Sequence, residues 1–187
     1  GAGYNANAQL AQNNTVLAYY SPMQIGTAGV WTRMAPAGSG VFAVNVNGIM
    51  YNWGYGTQGA LGNSSTGVIS SPVQVYFPSS GLPYGGVNVN PIPQSTKHGL
   101  NTWSYVLANG GMLWGCGYTN NGQLGINTTG QFSSPVQMLN ATYATNWAQA
   151  STDQTNSSST AFTFGLQSNG TLWSWGNPGS SQRSEEH

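Results

Sequence analysis

Few side chains in this sequence are equipped for chemistry. His98 is the only histidine before the final residue, and it stands beside Lys97. Asp153 is the only carboxylate in residues 1–184, and Cys116 is the only cysteine. General acid–base catalysis by paired carboxylates needs a second member within reach, and Asp153 has none in that stretch. A nucleophilic cysteine needs a base and an exposed, electropositive setting. Cys116 lies instead between Gly115 and Gly117 in an apolar stretch, where it reads as a small buried hydrophobe. One cysteine makes no intrachain disulfide and no cysteine-based zinc site, and calcium asks for several carboxylates. His98 reads as a solvated or packed loop residue. No catalytic residue, metal or cofactor is assigned, and enzymatic activity is not expected.

The chain is better furnished for contact. Tyr55, Tyr118, Tyr76 and Tyr84 fall on turns or loops, where a ring face and a hydroxyl suit a protein surface or a sugar. Charge is nearly absent: Arg33, Lys97, Asp153, Arg183, Glu185 and Glu186 are the whole set, 3% of the chain, against about a quarter in an ordinary domain. Nucleic-acid binding works by neutralising phosphates with Lys and Arg, so three basic residues exclude it. No apolar run approaches the roughly 18 residues of a membrane-spanning helix, so membrane insertion is not expected. A surface of Asn, Ser, Thr, Gln and Gly tolerates packing against identical copies, because burying an amide costs less than burying a charge. Six Asn-x-Ser/Thr triplets begin at Asn13, Asn63, Asn127, Asn140, Asn156 and Asn169; they read as a consequence of composition. With 12% aromatic residues the chain is not of the disordered type.

The elements that would hold these residues repeat. Gly117-Tyr118-Thr119-Asn120-Asn121-Gly122-Gln123-Leu124-Gly125 leads to Ser133-Ser134-Pro135-Val136-Gln137. Gly54 to Gly62 leads likewise to Ser70-Ser71-Pro72-Val73-Gln74, and Gly3 to Ala11 leads to Tyr20-Ser21-Pro22-Met23-Gln24. Gly176 opens a fourth copy, and a period of roughly fifty to sixty residues marks stacked copies of one supersecondary unit. The copies at Gly54, Gly117 and Gly176 are each preceded by an apolar run (Val41–Val46, Trp103–Leu107, Ala161–Leu166) and an aromatic segment. Trp53, Trp114, Cys116, Trp173 and Trp175 recur in register in that segment and read as repeat core. Asn47-Gly48, Asn109-Gly110 and Asn169-Gly170 join the two, and predict type I′ hairpin turns with φ > 0 at both residues. Each unit is therefore a β-hairpin, a Gly-rich turn and a Ser-Pro-Val-Gln strand. No amphipathic helix of useful length is found. Two intervals carry extra residues, Tyr76–Lys97 and Asn140–Ser159, and predict long loops.

The pattern Gly-x-Leu-Trp-x-Trp-Gly-x-x-x-x-Gly-Gln-Leu-Gly followed by Ser-Pro-Val-Gln resembles the RCC1-type repeat of the regulator of chromosome condensation family, from Gly3 to about Asn177. The resemblance implies an all-β, propeller-like fold with one four-stranded blade per repeat, typically seven blades, of which this chain carries about three. It departs from the pattern where Cys116 replaces the second Trp, where Ala8 and Ala11 replace glycines, and where Gly176-Asn177-Pro178 does not continue into Gln-Leu-Gly. The family's namesake exchanges guanine nucleotides and binds chromatin, but no charged exchange-loop motif is matched here.

Residues 1–179 thus form the repeat domain, with units of about 3–53, 54–116 and 117–175, and 180–187 read as a polar tail or linker. Three blades do not close a ring of seven. The sequence is read as part of a longer protein, or as a short chain whose open edges pair with neighbouring subunits; exposed strand edges must be covered in either case. Low-charge repeats of this kind resemble structural proteins of bacteriophages. The leading expectation is accordingly a capsid-decoration or tail-fibre component in the virion, with further copies of itself or other virion proteins as partners. A secreted or cell-surface adhesin binding a host-surface glycan is the alternative, and an intracellular regulator a distant third.

Overall fold

The computed structural model describes residues 2–26, 30–37, 40–77, 90–91, 103–108, 111–138, 146–152 and 161–177. Its strands are β1 (Gly3–Tyr4), β2 (Ala18–Tyr19), β3 (Trp31–Ala37), β4 (Gly40–Asn45), β5 (Met50–Tyr55), β6 (Val68–Gln74), β7 (Asn90–Pro91), β8 (Trp103–Ala108), β9 (Met112–Tyr118), β10 (Gln131–Gln137), β11 (Trp147–Thr152), β12 (Ala161–Gln167) and β13 (Leu172–Asn177). A 3-10 turn lies at Thr57–Gly59. The strands form antiparallel sheets in the orders β3-β4-β5-β6, β7-β8-β9-β10 and β11-β12-β13, with β1-β2 as a separate pair. This is an all-β array of successive antiparallel sheets.

Burial explains why β4 reads as a solid apolar run. All its residues but Val41 are buried, because both faces of this strand are covered, and a strand covered on both faces loses the alternation of a half-exposed one. Phe42, Val44 and Met50 join Val75 and, from the next sheet, Trp114 in one core cluster. Leu113, Leu124 and Met138 join Trp147 and Ala150 in the next. The cores therefore lie between successive sheets. Pro72 and Pro135, which cannot donate to a ladder, fall where the register of the outer strand shifts, between Ile69 and Val73 and between Phe132 and Val136. That is where a strand proline is tolerated.

The hairpin turns differ from the type I′ expectation. The Asn45 carbonyl accepts from Gly48 N–H at 3.0 Å while Asn45 N–H donates to the Ile49 carbonyl. Gly48 has φ 75 but Asn47 is not among the positive-φ residues. This is a three-residue loop, a turn closed by one left-handed glycine. Its Asn45 side chain explains the choice: Oδ1 accepts from both Asn47 N and Ile49 N at 3.0 Å. The turn at residues 167–171 repeats the pattern with Gly170 at φ 89. In the middle hairpin the left-handed residue is Gly111, φ 72, while Asn109-Gly110 lies outside the described residues.

Each sheet also begins with a strand that the hairpin pattern does not contain: β3, β7 and β11. Two of these fall in the segments expected to be long loops, β7 within Tyr76–Lys97 and β11 within Asn140–Ser159. β11 pairs with β12 from Trp147↔Gln167 to Thr152↔Thr163, so part of that insertion is the sheet itself.

Candidate functional site

The repeated Gly-rich segment keeps one backbone hydrogen-bond pattern in all three copies. Its third residue donates to the far end of the loop: Asn5 to the Leu17 carbonyl at 2.9 Å, Gly56 to Gly67 at 3.1 Å, Thr119 to Gly130 at 2.9 Å. Its sixth donates back to the third, in Ala8 to Asn5, Gly59 to Gly56 and Gly122 to Thr119, and its ninth to the sixth. The sixth and ninth residues are left-handed in every copy: Ala8 φ 59, Ala11 φ 52, Gly59 φ 78, Gly62 φ 66, Gly122 φ 75, Gly125 φ 64. Alanine carries a steric cost there that glycine does not, yet Ala8 and Ala11 adopt the same backbone.

Side chains reinforce the loop where the sequence allows. Gln9 Oε1 accepts from Asn7 N at 2.9 Å and Gln123 Oε1 from Asn121 N at 2.8 Å. Asn5 Oδ1 and Thr119 Oγ1 accept from Leu10 N and Leu124 N. The middle copy has Gly56 and Ala60 at these positions and neither bond. There Gln58 turns left-handed, φ 59, inside the 3-10 turn. In that copy Asn52 Nδ2 donates to the Leu61 carbonyl, and Asn63 Nδ2 to Asn52 Oδ1. Asn5, Asn52, Thr119 and Gln123 are fully buried, so the neutral amides and hydroxyls of this sequence are structural as well as superficial.

These loops build the seams between sheets. The second aromatic position of one sheet donates into the loop before it: Trp53 Nε1 to the Gln9 carbonyl at 2.8 Å and Trp175 Nε1 to the Gln123 carbonyl at 2.8 Å. Cys116 occupies the same position and its thiol donates to the equivalent Ala60 carbonyl at 3.3 Å. In the first two copies a second contact runs from the left-handed residue after the loop to the outer strand of the next sheet. Asn13 N donates to the Ser70 carbonyl at 2.8 Å and Ser64 N to the Ser133 carbonyl at 2.6 Å. Ser64 and Ser134 hydroxyls meet at 2.9 Å. Glycine sets the spacing: a Cβ on Gly59 would lie 2.5 Å from Ser133 Cα, and one on Gly125 would lie 2.9 Å from Trp175.

Trp53, Trp114 and Cys116 are buried, and Trp173 and Trp175 are half-buried. Burial of Cys116 pushes its thiol up to about 12 from 9.0, so it is protonated at neutral pH and unsuited to nucleophilic attack. Tyr55 and Tyr118 are half-buried at the ends of β5 and β9, and Tyr76 is 55% exposed just after β6. Tyr84 and the loops' remaining residues lie outside the described residues, as do Lys97, His98 and Asp153. Sequence reading missed Trp31 and Trp147, which pack on Trp53 and Trp175 at 5.9 and 5.7 Å between ring centroids. They stand at equivalent places, opposite Asn45 and Gln167, but at unequal distances from the repeat signature. Among the described residues no group of three His, Cys, Asp or Glu could hold a metal, and no helix is long and apolar enough to cross a membrane.

No protein-family model and no curated protein matches the chain. Solved structures do. The crystal structure of human WBSCR16 is similar at a TM-score of 0.71 and 19% identity, over 93% of this chain and 41% of that one. Yeast RCC1 (Prp20), crystallised bound to Kap60, is similar at 0.66 and 15%, over 94% of this chain and 39% of that one. Prp20p from Saccharomyces cerevisiae, described with its binding to Gsp1p and histones, is similar at 0.63 and 18%, over 94% and 40%. The chain spans about two fifths of the length of each. The RCC1-type repeat fold is established by these likenesses.

Proposed function

We propose that this chain is a non-enzymatic structural module that acts by protein–protein contact, as a component of a virus particle that decorates the capsid or forms part of a tail fibre. The observation that carries the reading is a blade array whose seams use backbone carbonyls, indoles and buried amides, on a chain with six charged residues in 187. A protein displayed in many copies gains from such a surface, since neutral faces neither repel one another nor depend on ionic strength. The yeast protein similar in fold was crystallised bound to Kap60, which supports a role in protein–protein contact. The near-absence of Lys and Arg disfavours chromatin contact, so nucleotide release from a small GTPase should not accelerate in its presence. Mass spectrometry of purified particles from the source tests the reading. Stoichiometric recovery with the capsid or tail proteins is expected, and absence from particles would overturn it.

A glycan-binding adhesin is the second reading, favoured by Tyr20 and Tyr76, which are exposed. A glycan array probed with the intact protein and with Tyr76→Ala separates the two. Silence from the intact protein removes this alternative.

A further inference from the structure

Beyond its ninth residue (Ala11, Gly62 or Gly125), each Gly-rich loop passes through an exposed tip before its outer strand begins. The tips stand side by side. Asn13 N–H in the first reaches the Ser70 carbonyl, three residues after Gly67 closes the second loop. Ser64 N–H in the second reaches the Ser133 carbonyl, three residues after Gly130 closes the third. Successive tips therefore form one row along an edge of the array. Residues 12–17, 63–67 and 126–130, which make up the tips, contain no charged and no aromatic residue.

The side chains of a tip divide into those that hold the loop and those that do not. Asn14 Oδ1 accepts from Val16 N at 3.1 Å, and Asn14 Nδ2 donates to the Gln12 carbonyl at 3.0 Å. Asn63 Oδ1 accepts from Ser65 N and Ser65 Oγ from Gly67 N, both at 3.1 Å. Threonine belongs to the other group. Thr15, Thr66 and Thr129 stand four residues after the ninth position in every copy. All three are exposed, none is among the positive-φ residues, and their hydroxyls make no hydrogen bond among the described residues. The residue before this threonine changes from Asn14 to Ser65 to Thr128, and Val16 is an extra residue in the first tip, yet the threonine stays. A loop side chain that recurs without bonding, burial or a backbone demand is repeated for what lies outside the chain.

We infer that this row of tips is a binding face for a neutral polysaccharide, with Thr15, Thr66 and Thr129 exchanging hydrogen bonds with successive stretches of sugar hydroxyls. A threonine hydroxyl is donor and acceptor at once, which matches a ligand whose polar groups are hydroxyls. No charge has to be desolvated on either side. A repeating ligand suits a repeating face, because contacts that are weak singly add along the polymer once the first is made. A protein partner fits less well: protein interfaces are anchored by Trp, Tyr and Arg, and the tips contain none. The inference rests on the glycan reading given second above, and moves the contact from Tyr20 and Tyr76 to the threonine row. It holds whether or not the chain is carried in a particle.

The test is biolayer interferometry of the full chain on sensors coated with dextran, galactomannan or arabinoxylan, with alginate as the anionic control. Binding to a neutral polymer that persists at high salt is expected. Thr15→Ala, Thr66→Ala and Thr129→Ala should each weaken it by about threefold, and the three together by about thirtyfold, with the denaturant midpoint unchanged. Serine at all three positions should restore binding, and valine should not. A lowered midpoint in the triple alanine variant would give the threonines a structural role and count against the inference. Silence of the intact chain on every neutral polymer and on the glycan array removes both this inference and the adhesin reading. Binding that survives the triple variant but is lost in Tyr76→Ala removes this inference alone. Tighter binding to alginate, or loss of binding in salt, also overturns it. So does a triple variant that binds polysaccharide as the parent does but loses association with other copies, which would make the row a protein-contact face.

Discussion

The first and second copies of the Gly-rich loop share left-handed backbone at their sixth and ninth residues and differ in what that backbone tolerates. Position 8 is alanine and position 59 is glycine, at φ 59 and 78. Alanine at 8 is fully buried and accommodated, so left-handed geometry alone does not demand glycine. At 59 a methyl group would sit 2.5 Å from Ser133 Cα and 2.7 Å from its nitrogen, atoms that move only if the next sheet moves. The third copy, at 122, has the left-handed φ and no such neighbour. Glycine in this repeat thus answers two separate demands, backbone hand and approach of the following sheet, and the copies separate them.

The comparison breaks most sharply at Gly59→Ala. Backbone overlap across a seam plus a left-handed alanine should cost about 3 kcal/mol or more, read as the denaturant midpoint of the purified chain; a loss below about 1 kcal/mol would mean the seam is looser than these distances. Gly122→Ala should cost about 1 kcal/mol by the same measure, the left-handed term by itself. Ala8→Gly should be the mildest. Relief of the left-handed cost is offset by a lost buried methyl worth about 0.8 kcal/mol, so stability should change by less than about 1 kcal/mol.

Cys116 offers the same kind of contrast against Trp53 and Trp175, since it keeps their bond to the loop carbonyl with a far smaller side chain. Its folded thiol, at about 12, lies above the unfolded 9.0. Its contribution to stability is therefore intact below pH 9 and declines as pH rises from 9 toward 12, because the unfolded thiol ionises while the folded one holds its proton. At pH 8 the folded chain should carry far less thiolate than the unfolded chain, and alkylation should proceed only as fast as unfolding. Rapid modification of the native protein would place Cys116 outside the seam.

Much of this was legible in the residues. Gln-Leu-Gly, Trp-x-Trp and Ser-Pro-Val-Gln recurring in register carried the hairpins, the loops and the outer strands, because each of those depends on a local backbone demand. The first strands of the sheets, β3, β7 and β11, were not legible. Trp31–Ala37 pairs with a single neighbour, β4, and most of its side chains are exposed or outside description, so little hydrophobic pattern is imposed on it. The Asn-Gly turns misled because the buried Asn45 side chain, two residues before Asn47, organises the loop. The seam was half legible. The aromatic register pointed to a core position, but the acceptors for Trp53, Cys116 and Trp175 are backbone carbonyls, which leave no mark in side-chain identity. That is also why Cys116 could look like a departure from the repeat while performing its contact.

The denaturant midpoints of Gly59→Ala and Gly122→Ala, measured side by side, test most directly whether glycine answers two separate demands in this repeat. A loss at 59 larger than that at 122 by about 2 kcal/mol is the predicted result. Equal losses at the two positions would contradict it.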